Sequence, residues 1–149
     1  RCLDDLEYFL SWPGARIKVG ATLTFANAEK SLEYEPGAAL PLSRLMALRR
    51  LHDCGVKTWA SIEPVIDPVE SLKIIQLSLR CVDSYMLGKL NHAPSDVDWT
   101  DYAYKAVTMI RGLGRDLYVK ADLRKHLPEG FLTPQECDPE AHVLPDRPQ

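Results

Sequence analysis

The chain has no apolar run of about 18 residues, so it offers no membrane-spanning helix. No secretory signal is read in it, and a cytoplasmic location is expected. It has no CxxC pair and no Cys/His cluster, because Cys2, Cys54, Cys81 and Cys137 are widely scattered. Thiols so spaced are expected to stay reduced, and they assemble no metal site within this chain. A basic excess is missing as well. Eighteen Lys and Arg against 21 Asp and Glu leave a net charge of −3, which argues against a general affinity for nucleic acid. There is no nucleophile triad, P-loop or GxGxxG, and Gly112–Leu113–Gly114 reads as a helix stop. Arg1 stands where a start methionine would, as expected of a processed chain or a piece of a longer one.

What is present is ordinary for one globular domain. The 149 residues are 46% hydrophobic and 26% charged, enough to bury a real core. Four strand-like runs alternate with helical ones: Ile17–Thr24, Val56–Ile62, Tyr85–Leu90 and Asp116–Ala121. Their starts lie 39, 29 and 31 residues apart, the length of a βαβ unit.

The segments between them carry helix signals. Arg1–Trp12 has apolar residues at helical spacing before Pro13–Gly14. Pro41 opens a helix to Cys54 that Gly55 stops, and Asp67–Pro68–Val69–Glu70 is a cap followed by a capping-box-like pair. Asp98 caps a third helix from Trp99 to about Arg111. Asn27–Leu40 reads as a long polar connection.

Strands joined by crossover helices run parallel, so the fold class is α/β. The expected architecture is a parallel half to partial TIM barrel of about four strands over residues 1–127, with a Pro-rich tail over 128–149. A half barrel of this kind is expected to have two bare strand edges and an uncovered apolar inner face. Gly20 inside the first strand predicts a close approach there.

In parallel β/α sheets the carboxyl ends of the strands carry the ligand chemistry. Three of the four runs close on polar residues at that end: Thr24, Glu63–Pro64 and Lys89–Leu90–Asn91. Glu63 can accept from an amine or a ribose hydroxyl, or pair with a neighbouring cation such as Lys89. Lys89 can neutralise a carboxylate or phosphate, and Asn91 can read an amide or a base edge. Thr22 and Thr24 share one face. Arg44 can clamp a ligand carboxylate, or pin the long loop through Glu35. His92 titrates near neutrality but is alone in its loop.

Taken in order, these residues resemble a known family. Thr22–Leu23–Thr24, Glu35–Pro36–Gly37–Ala38 and Arg44–Leu45–Met46–Ala47–Leu48 are followed by Gly55–Val56. Ser61–Ile62–Glu63–Pro64–Val65–Ile66 and Leu87–Gly88–Lys89–Leu90–Asn91 complete the series. It resembles the carboxyl-terminal half of the radical SAM barrel in proteins similar to spore photoproduct lyase, often labelled DNA repair photolyases.

That resemblance implies S-adenosylmethionine and a [4Fe–4S] cluster, reductive cleavage to a 5′-deoxyadenosyl radical, and a cross-linked thymine lesion in DNA as substrate. It implies that Thr24, Glu63 and the Lys89–Asn91 rim sit around the cofactor or substrate, with Arg44 beside them and Thr22 and Glu35 in support. The three-cysteine run that holds the family's cluster is absent from this chain. The expected function is therefore the cofactor- and substrate-side half of such a lyase, partnered by a missing amino-terminal half. The alternatives are a free-standing half barrel that pairs with itself or another chain, and an unrelated β/α enzyme using Glu63 and Lys89 as an acid–base pair.

Overall fold

The computed structural model describes residues 17–90 and 94–142. The expected Arg1–Trp12 helix, Cys2, Asn91 and His92 lie outside the described residues, as does the end of the tail.

Four strands, β1 (Lys18–Thr22), β2 (Lys57–Ile62), β3 (Ser84–Leu87) and β4 (Asp116–Val119), form one sheet in the order β1-β2-β3-β4. Every neighbouring pair is parallel. The helices that carry the chain between strands are α1 (Ala28–Tyr34), α2 (Pro41–Asp53), α3 (Pro68–Ser78) and α4 (Trp99–Arg111). After β4 come two short helices, α5 (Ala121–Arg124) and α6 (Pro134–Cys137), and a 3₁₀ turn over Glu140–His142. No helix among the described residues is long and apolar enough to cross a membrane.

Strand alternation sorts the sheet into two unlike faces. Ala60 and Ile62 of β2, Tyr85 and Leu87 of β3, and Leu117 and Val119 of β4 are buried against α2, α3 and α4 in one continuous core. Crossovers of one hand, repeated in one direction, place the helices on a single side. Each fully buried Ile or Leu in this layer contributes roughly 1.5–3 kcal/mol. Two hydroxyl pairs are buried with it, Ser71 Oγ to Tyr102 OH and Ser78 Oγ to Tyr85 OH, each at 2.8 Å.

The other face carries Lys18, Gly20 and Thr22, then Lys57, Trp59 and Ser61, then Ser84 and Met86, then Asp116 and Tyr118. It is the inner face of an open sheet that does not close into a barrel. The expectation of an apolar inner face is corrected: charged and hydroxyl side chains dominate, with Trp59, Met86 and Tyr118 among them. The close approach expected at Gly20 is made by the indole of Trp59, its register partner.

The tail folds back rather than leaving the domain. Arg111 of α4 holds Glu136 in a two-nitrogen fork (2.7 and 2.5 Å) and donates to the Phe131 carbonyl at 2.8 Å. From there α6 packs on β4, and the 3₁₀ turn crosses onto the inner face. At that point Lys18 Nζ donates to the His142 carbonyl at 3.0 Å, and the His142 ring lies 6.1 Å from that of Tyr118. Among the described residues the tail thus covers the inner face at the amino-terminal ends of the strands and not at the carboxyl ends.

Two local expectations differ from what is observed. The Asn27–Leu40 connection contains α1, which Asn27 caps by accepting from Lys30 N at 3.0 Å. Only Ser31 of that helix is buried, so it has no apolar period to be seen. Glu70 does not turn back on its own helix start. Its carboxylate accepts from the backbone N–H groups of Ala26 (3.1 Å) and Asn27 (2.6 Å), tying the loop after β1 to α3.

Candidate functional site

The register fixes what meets at the carboxyl rim. Thr22 pairs with Ser61, Ile62 with Leu87, and Leu87 with Val119. One step or two beyond these pairs, Thr24, Glu63, Gly88 and Lys120 form a single row across all four strand ends. The ladder reaches that far in part, since Leu23 N donates to Ser61 O at 2.9 Å and Lys120 N to Leu87 O at 2.8 Å.

Within the row, Lys120 Nζ is hydrogen-bonded to Glu63 Oε1, spanning the width of β3. It can do so because the residue between them has no side chain. A Cβ placed on Gly88 would collide with Glu63 Oε2. The carboxylate is one-quarter exposed, so a ligand can reach it. Thr24 is 3% exposed, and its Oγ1 has no hydrogen-bond partner among the described residues. A buried hydroxyl without a partner carries a desolvation penalty of about 1–3 kcal/mol unless something supplies one. The row therefore offers a held carboxylate, an ammonium and an unused hydroxyl. That set accepts and donates to hydroxyl or amine groups.

The pairing expected between Glu63 and Lys89 is not formed. Lys89 lies one residue beyond Gly88, so the period-two alternation turns it away from the row. Its ammonium sits 5.6 Å from the centroid of the Trp99 ring. Lys120 occupies the place expected of Lys89. It was legible in the sequence: Leu117 and Val119 alternate onto the core face, which puts Lys120 on the other one. His126 is a second residue that the motif pattern missed. Burial and the positive charges of Lys89 and Lys125 push its pKa below the ordinary value, while Asp98 opposes them.

Arg44 is engaged by the chain itself. It makes a fork to Glu35 (3.2 and 3.1 Å) and donates to the carbonyls of Ala39 (2.7 Å) and Thr22 (2.8 Å). Of the two roles open to it, the geometry realises the loop pin. The Thr22 side chain is exposed, and its carbonyl anchors that pin.

The three described cysteines do not fit an iron–sulfur cluster. Cys54 and Cys81 follow α2 and α3, at the amino-terminal end of the sheet, and Cys137 ends α6. Burial pushes the Cys81 thiol up. Among the described residues no three His, Cys, Asp or Glu side chains group as a metal site. No protein-family model, curated protein or solved structure matches this chain.

Proposed function

We propose that this chain is the adenosyl- and substrate-side half of a radical SAM-type barrel similar to spore photoproduct lyase, with the cluster held by strands from another segment. The single observation that carries the proposal is the row of Thr24, Glu63, Gly88 and Lys120 at the carboxyl rim of a sequential parallel sheet. Glu63 would accept from the ribose hydroxyls of S-adenosylmethionine, and the idle Thr24 hydroxyl would bond the same nucleoside. Lys120 holds Glu63 aimed across Gly88, whose missing side chain makes room for the carboxylate. Bound S-adenosylmethionine supplies the adenosyl group, and no step is assigned to a cluster that these cysteines do not fit. A DNA substrate follows from the resemblance alone, and the net charge of −3 adds nothing to it.

Titration with S-adenosylhomocysteine, followed by ligand-observed NMR, tests the site without any cluster. Saturable binding is expected, lost in Glu63→Gln and weakened about tenfold in Thr24→Val. A wild-type chain that ignores the ligand at millimolar concentration sinks the proposal. If that chain is also a compact dimer, the self-pairing half barrel is favoured instead, since β1 and β4 are the edges of the sheet among the described residues.

A further inference from the structure

Two cavities lie under the tail at the opposite end of the sheet from the rim. The first, about 200 Å³, has Trp59, Met86 and Pro139 in its walls. The second, about 160 Å³, is walled by Lys57, Asp83 and Asp116. Lys18, Ser84 and His142 line both, so the chambers adjoin. A dry cavity of about 150 Å³ holds a benzene ring, so the apolar chamber has room for one aromatic or branched side chain.

The polar chamber offers both signs of charge. Lys18 Nζ spends one of its three N–H groups on the His142 carbonyl, which leaves two. Asp83 is already engaged by the Thr58 N–H and hydroxyl and by Lys57, Arg115 and the His52 ring around it. The Asp116 carboxylate has no hydrogen-bond partner among the described residues. Its field nonetheless reaches Lys18, whose pKa is lowered by burial against the pull of Asp116 and Asp83. A ligand with a carboxylate for Lys18, an ammonium for the exposed Asp116 and an apolar group for the Trp59–Met86 chamber matches both linings.

We infer that the inner face under the tail is a binding site for a free α-amino acid with an aromatic or large apolar side chain. The carboxylate bonds Lys18, the ammonium bonds Asp116, and the side chain lies against Trp59 and Met86 beneath Pro139. The site is separate from the rim and stands or falls independently of the proposed adenosyl binding.

The test is L-phenylalanine added to protein labelled at its methionine methyl groups. Saturable shifts are expected at Met86, with none at Met46, which is exposed on α2. Asp116→Asn should weaken binding about tenfold or more with an unchanged melting temperature, and Lys18→Met, which also loses the bond to the His142 carbonyl, should weaken it at least as much. Phenylacetate, which lacks the ammonium, and phenethylamine, which lacks the carboxylate, are expected to bind at least about tenfold more weakly to the unaltered chain. No shift at millimolar L-phenylalanine overturns the inference. So does phenylacetate or phenethylamine binding as tightly as the amino acid, a result that needs no variant to fold.

Discussion

Gly88 and Gly20 both lie on the inner face with a neighbour's side chain over them, and the two neighbours differ in stiffness. Over Gly88 lies the Glu63 carboxylate, the far end of a flexible chain. Over Gly20 lies the rigid indole of Trp59. Gly88→Ala is therefore expected to swing Glu63 off Lys120 and leave the fold standing, at a cost of about 0–1 kcal/mol for a partly exposed ion pair. Gly20→Ala has no such escape and is expected to cost about 1–3 kcal/mol, because ring and strand must both move. Urea denaturation of the two variants checks the order. Equal losses would mean that Glu63 is clamped as tightly as the indole. Adenosylhomocysteine binding should fail in Gly88→Ala despite its small stability loss, since only the carboxylate has moved.

The helices and strands were legible where an apolar period or a cap marked them, and least where neither did. Pro41, Asp67 and Asp98 gave the starts of α2, α3 and α4, because a fixed φ or a short acceptor acts within one turn. Asp67 accepts from Val69 and Glu70, and Asp98 from Thr100 and Asp101, as their types require. Helix α1 was missed because its hold on the domain is polar and distant, through Lys30 and Asp67. The rim was half legible for a related reason. Residue types at strand ends were visible, but register decides which of two consecutive residues faces inward. β3 ends at Leu87, three residues earlier than its composition suggested, and the alternation that buries Tyr85 and Leu87 hands the inner position to Gly88 and turns Lys89 away. Packing between elements supplies what the sequence pattern could not, as α3 and α4 show. Ser71 and Tyr102 face each other across that contact, both buried. Ser71→Ala and Tyr102→Phe are each expected to cost about 1–3 kcal/mol by orphaning the other's hydroxyl, and the double variant less than their sum. Denaturation midpoints of the four proteins give the coupling, and strict additivity would show that the hydroxyls do not interact.

Three carboxylates tie separate parts of the molecule together, and all three are held below their ordinary pKa. Lys30, bonded at 2.5 Å, lowers Asp67 at the rim, helped by the N–H groups it caps. At the other end of the sheet burial works against the charge of Asp83. The Thr58 N–H at 2.8 Å, with Lys57, His52 and the Thr58 hydroxyl, outweighs that burial. Arg111 lowers Glu136, with the N–H and hydroxyl of Thr133 adding to it, and so fastens the tail. A carboxyl that is more acidic folded than unfolded leaves the unfolded chain binding more protons, so stability rises with pH across the interval between the two values. The contribution is complete above the ordinary values of 3.8 for Asp and 4.5 for Glu, and it drains away as pH falls from there toward the folded values. Unfolding free energy is expected to ease slightly below neutrality, where His126 takes up its proton more readily in the unfolded chain, and to drop steeply from about pH 5.5 toward about pH 3. Asp83→Asn keeps the shape but not the charge. It should cost about 1–3 kcal/mol at neutral pH and flatten part of the acid limb, because one of the three titrations has been removed. Stability that climbs on acidification, or an Asp83→Asn curve parallel to that of the unaltered chain, would show that these carboxylates are not what holds rim, sheet base and tail in one body.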